Sequence, residues 1–160
     1  MKKVTISTFI RVLGLGIVSG MRGAMGPAFA SYYVNKHPSR ELNKSPLGFM
    51  KKEATGKFLQ TMAAGELVID KAPSTGDRTT VTGLTGRALS GGLVGATLYQ
   101  AKGDKAWQGA LIGAAAAVAG AYAFFYLRQY AGKKLKVRDA AVGGVEDAIA
   151  VGIAAGAVMK

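Results

Sequence analysis

The stretch AWQGALIGAAAAVAGAYAFFYL, from Ala106 to Leu127, contains no charged side chain and is bracketed by Lys105 and Arg128. At the helical rise it would extend about 33 Å, enough to cross a bilayer core of about 30 Å. Trp107 lies at one end and Tyr122, Tyr126 and Tyr130 at the other, where amphipathic rings favour the headgroup level. A charge-free stretch of this length is hard to solvate in a water-soluble bundle. Lipid is therefore the expected solvent, and an all-α integral membrane protein the expected fold class.

At 160 residues the chain is expected to form a single membrane domain, 1–160. Apolar residues make up 49%, modest for a polytopic protein, because the polar residues gather in hydrophilic connections. The 23 glycines follow no collagen-like period and suit close helix packing. The absence of cysteine excludes a disulfide framework, a thiolate metal site and a cysteine nucleophile. The single His37 stands beside Pro38 in a basic loop, so neither a metal nor a cofactor is expected. The net charge of +12 comes from basic residues flanking apolar segments, without a nucleic-acid-binding motif. The expected partners are the bilayer and, at the basic loops, its anionic lipids; nucleic acid is not among them.

Five apolar segments can be drawn. The first, Thr8 to Val34, is interrupted around Ser19 to Pro27. Lys2, Lys3 and the following apolar run resemble a signal peptide, with Ala28-Phe29-Ala30 as a cleavage-like site. Arg11 falls inside the would-be apolar region, however, which favours a retained helix. A basic hydrophilic loop, 35–57, follows with Lys36, Arg40, Lys44, Lys51, Lys52 and Lys57. The second segment, Phe58 to Ile69, is short for a span and contains Glu66. Gly83 to Ala101, Ala106 to Leu127 and Ala140 to Met159 complete the set.

Glycines four apart recur in the four longer segments: Gly16 and Gly20, Gly91 and Gly95, Gly109 and Gly113, Gly152 and Gly156. Such pairs share one helix face and let backbones approach, so tight packing and a homo-oligomer are expected. Loop charge bears on topology. Five crossings would leave nine basic residues on each side and specify no orientation, as in dual topology. If Phe58 to Ile69 is re-entrant or interfacial, thirteen basic residues face five, and the bias becomes clear. The favoured arrangement is thus four transmembrane helices plus one short re-entrant or interfacial helix, with both termini outside the cytoplasm.

Ionisable groups inside apolar segments are costly unless paired or hydrated, which makes Arg22, Glu66, Asp70, Arg87, Glu146 and Asp147 the candidate binding residues. Glu66 and Asp70, four apart, would project from one helix face and could bind a cation or relay a proton. The competing reading is that these arginines and carboxylates are buried ion pairs that fix the packing. Arg11, near a segment end, is expected to snorkel to the interface. Gly20, Gly26 and Pro27 mark a helix break. Pro27 suits the first turn of a new helix and Gly26 a sharp turn before it. A helix starting there would aim free N–H groups into the protein beside Arg22, an arrangement able to hold an anion or to be satisfied by a carboxylate.

At these residues a resemblance emerges. Ser19-Gly20-Met21-Arg22 with Gly26-Pro27, the run Gly65 to Pro73, Asp77-Arg78-Thr79, Gly86-Arg87-Ala88 and Glu146-Asp147 together resemble the bacterial membrane-protein family known as domain of unknown function 4126. The resemblance implies a small polytopic protein of the bacterial inner membrane with unassigned activity, and it names no substrate. Two functional expectations stand: a channel or transporter for a small, anionic solute, or a structural protein assembling with other membrane subunits. No nucleophile–base motif points to an enzyme, and no catalytic residue is assigned.

Overall fold

The computed structural model describes residues 6–69, 80–134 and 139–159. Among them the regular elements are all helical: α1 (Ile6–Met21), α2 (Met25–Lys36), α3 (Arg40–Asn43), a 3-10 helix (Pro46–Lys51), α4 (Glu53–Ile69), α5 (Val81–Lys102), α6 (Ala106–Lys134) and α7 (Asp139–Met159). Two of them, over 106–131 and 141–159, are long and apolar enough to cross a membrane.

The first apolar segment is not one interrupted helix. It folds back at Arg22–Ala24, so that α2 runs antiparallel along α1. Gly26 packs on Ser19 and Leu15, and the Arg11 guanidinium lies 4.9 Å from the Tyr33 ring. Gly26 therefore serves close packing between two helices. A Cβ there would overlap Ser19 Oγ and come within 2.8 Å of the Leu15 carbonyl. Pro27 occupies the first turn of α2, where its missing N–H leaves no bond unmade.

Because the hairpin returns the chain to its starting end, α4 then climbs beside α2, and α5, α6 and α7 alternate in direction. This changes which connections share an end. The favoured four-span arrangement set the loop 35–57 opposite the connection at 102–105, whereas five crossings set them together. In the structure the two meet, with Glu41 Cγ 3.5 Å from the place a Cβ on Gly103 would take. Gly103 ends α5 at φ +80, with its own N–H bonded to the Gln100 carbonyl and the Asp104 N–H to that of Tyr99. This left-handed helix stop favours glycine.

The basic loop is itself a folded cap. Ser39 and Ser45 accept hydrogen bonds from Leu42 N and Leu47 N to start two short helices. Leu42 and Met50 are fully buried, and the Ser31 hydroxyl donates to the Met50 carbonyl at 2.7 Å.

Helix lengths divide the bundle into two sets. At the helical rise, α5, α6 and α7 extend about 33, 44 and 32 Å, whereas α1, α2 and α4 extend only about 24, 18 and 26 Å. The hairpin tip meets Ser90, the tenth residue of α5, and Asp147, the ninth of α7. The tip thus sits about midway along the long helices. The core, including Val12, Leu15, Val18, Val94 and Leu98, fills the half of the bundle that the short helices occupy.

Glycines close this core. Gly91 and Gly95 on α5 face Gly109 and Gly113 on α6, where a Cβ on Gly95 would stand 2.6 Å from the Gly109 carbonyl carbon. Gly16 and Gly20 of α1 press on α6 in the same way. Three of the four glycine pairs expected to serve self-association are therefore used within the chain. Around Gly152 and Gly156 the space is open.

Candidate functional site

The charged side chains gather around the hairpin tip. The α2 helix begins without a side-chain cap of its own, since its N-cap residue is Ala24. The two amides that lead into it are instead taken by a carboxylate more than forty residues away. Glu66 Oε1 accepts from Gly23 N–H and Oε2 from Ala24 N–H, each at 2.9 Å. A negative group at a helix N-terminus satisfies two orphan donors and opposes the positive dipole end. The anion that the broken helix was expected to hold is the chain's own Glu66.

Arg22, 3% exposed, forms a salt bridge with Asp147 across the bundle. One residue before it, the buried Glu146 faces Arg128 of α6 at 3.7 Å. Arg22 thus meets one of the carboxylates expected to neutralise it, while Glu146 faces an arginine outside the expected set. Helical spacing accounts for the split: neighbouring residues on α7 point about 100° apart, so Asp147 reaches the hairpin tip and Glu146 reaches α6. The turn is held further by Ser90, whose hydroxyl donates to the Gly23 carbonyl.

Arg87 lines a cleft of about 540 Å³ between the tip, α4 and α5, together with Glu66, Ser90 and Thr82. Phe58, Met62 and Leu93 supply apolar walls. Gly20 is no part of an anion site; it is the contact point of α1 with Ala117 and Ala121. Asp70, along with Lys71, Asp77 and Arg78, lies outside the described residues. Among the described residues no three His, Cys, Asp or Glu side chains converge as metal ligands.

Three contributors escaped the sequence reading. Ser90 looked like an ordinary helix residue, and Arg128 like a loop charge. Arg11 is tied down at its end of the bundle: its Nε donates to the Ala157 carbonyl in the last turn of α7 at 2.9 Å, and its guanidinium lies over the Tyr33 ring. A cation at a helix C-terminus is favourable for the same reason that Glu66 is at an N-terminus. The only local signal was Arg11's depth within an apolar run.

The fold and its charges define a class: an all-helical bundle with a half-depth helical hairpin, whose tip is tied to α7 by a salt bridge and to α4 and α5 by hydrogen bonds. No family model, curated protein or solved structure matches the chain.

Proposed function

We propose that this chain is a small polytopic membrane protein that admits a small anionic solute at the cleft beside the hairpin tip. In the membrane α6 and α7 cross the bilayer, α5, less apolar but about 33 Å long, crosses packed on α6, and the α1–α2 hairpin, too short to cross, enters from the end that carries the basic cap. Support for the membrane comes from what the two most apolar helices expose. Only 28% and 22% of the residues in their apolar windows are buried, and Leu111, Tyr126 and Val145 are each at least 60% exposed. A soluble core helix would be covered. The resemblance noted above points to the bacterial inner membrane.

The observation carrying the solute reading is the double hydrogen bond of Glu66 at the tip, with Arg87 on the same cleft. A helix N-terminus at mid-depth is a recurrent anion site in discontinuous transporter helices. Here Glu66 is the resident anion. Protonating it withdraws its charge, and a solute anion then takes its place between the two amides and Arg87. Proton uptake and anion entry are coupled in this way.

The test is chloride and inorganic phosphate flux into proteoliposomes under an imposed pH gradient. Arg87→Ala lowers the flux about tenfold or more, the worth of one charged hydrogen bond. Glu66→Gln leaves flux that no longer follows the pH gradient. Flux unchanged in both variants removes the cleft from the mechanism.

A second reading is favoured by the Arg22–Asp147 and Arg128–Glu146 contacts. In it every charge is a packing device, and the protein assembles beside other membrane subunits. It is recognised by absent flux for either anion together with destabilisation when Glu66 or Arg87 is neutralised.

A further inference from the structure

A second cavity lies away from the charged tip. It is a groove of about 720 Å³ over α2, with α4 on one side and α7 on the other. Its walls are apolar, built by Phe29, Leu67 and Val158 among others. The basic groups stand at the end nearest the cap, Lys36 and His37 with Tyr32, while Gln60 lies farther along the groove. Among the described residues no Asp or Glu lines it.

The geometry at that end presents positive charge outward. Lys36 Nζ rests 4.8 Å over the Tyr32 ring, which holds the ammonium at the mouth. His37 stacks on Tyr33, and its Nδ1 lies 3.1 Å from the Tyr33 carbonyl oxygen. A carbonyl can only accept, so Nδ1 carries a hydrogen, and the ring donates to a phosphate from Nε2 when it is the imidazolium.

From Met25 to His37 the groove follows α2 for about 18 Å, close to the depth of one leaflet of a core about 30 Å thick. The basic mouth complements an anionic headgroup, and the apolar walls suit an acyl chain. We infer that the α2–α4–α7 groove binds an anionic phospholipid, with an acyl chain along α2 and the phosphate between Lys36 and His37. This rests on the membrane reading above but not on the solute reading.

The test uses the full chain in vesicles of phosphatidylcholine with a minor share of phosphatidylglycerol, bromine being carried on the acyl chain of one lipid or the other. Phe29→Trp in a Trp107→Phe background puts a fluorescent probe in the groove. At equal mole fraction, brominated phosphatidylglycerol quenches that probe about fivefold more effectively than brominated phosphatidylcholine, the factor for one basic residue beside anionic lipid. Lys36→Gln with His37→Gln removes the preference. Equal quenching by the two lipids overturns the inference. So does quenching by neither, which would mean that protein fills the groove.

The unsubstituted chain reports separately on the membrane. Trp107, 59% exposed on α6, is quenched alike by both lipids. If it is, and the groove probe shows no preference, the groove assignment fails alone; if Trp107 is quenched by neither, the membrane reading fails with it. Native mass spectrometry of the purified chain needs no substitution. It retains phosphatidylglycerol over phosphatidylcholine if the inference holds, and shows no preference if it does not.

Discussion

Arg22 illustrates how one residue can be read correctly in kind and incompletely in place. A guanidinium in an apolar run must meet a carboxylate or water, and the sequence offered several carboxylates without ranking them. Asp147 was selected because the hairpin tip stops beside the ninth residue of α7. Removing one member of a buried pair leaves the other uncompensated, whereas replacing both with apolar groups of similar size is often neutral. Arg22→Met should therefore destabilise by about 3–5 kcal/mol. Adding Asp147→Leu should recover much of that loss in thermal unfolding of the detergent-solubilised protein. Additive losses would show that the two side chains do not depend on each other. Glu66 was visible as a costly charge but not as a cap. Capping rules look just before a helix, and this cap arrives from a different helix.

Among the elements, α5 and α7 make an instructive contrast, since both carry glycines four apart. On α5 the glycine face is spent on α6, with no room for a methyl group; on α7 it meets open space. Gly95→Ala forces backbones apart and should cost about 1–3 kcal/mol. Gly152→Ala gains helix propensity and should stabilise by up to about 1 kcal/mol. Thermal unfolding of the two single variants decides the matter, and equal effects would contradict the packing described. Spacing alone could not separate these glycines, because it reports that a face exists but not what lies against it. The long helices were legible almost to the residue at α5 and α7. The α6 helix runs on to Lys134, beyond its apolar stretch, because Arg128, Gln129 and Lys133 are good helix formers despite their polarity.

For the whole molecule, the decisive feature is the fold-back at Arg22–Ala24. It brings the cap at 35–57 and the turn at 103–105 to one end and puts the start of α5 at the other. Single cysteines in this cysteine-free chain test that arrangement. Ser7→Cys, Lys44→Cys and Lys105→Cys should react with an impermeant thiol reagent from the same side of the membrane, and Val81→Cys from the opposite side. Labelling of positions 7 and 44 from opposite faces would restore the single-crossing first segment. Loop charge could not see this, because counting basic residues presumes knowledge of which segments cross, and a hairpin and a kinked span have the same hydropathy.

The sequence by itself determined the all-helical class, the positions of the long apolar helices and the short roster of charges that needed partners. Each of these follows from local chemistry: helical rise, hydropathy and the cost of an unpaired ion. Only the tertiary structure decided that the first segment is a hairpin, that Glu66 caps α2, that Asp147 rather than Glu146 meets Arg22, and that α7 keeps its glycines open. Those outcomes depend on which helix faces come together. That is set by volumes and backbone approach summed over the bundle, and no stretch of sequence carries that sum alone.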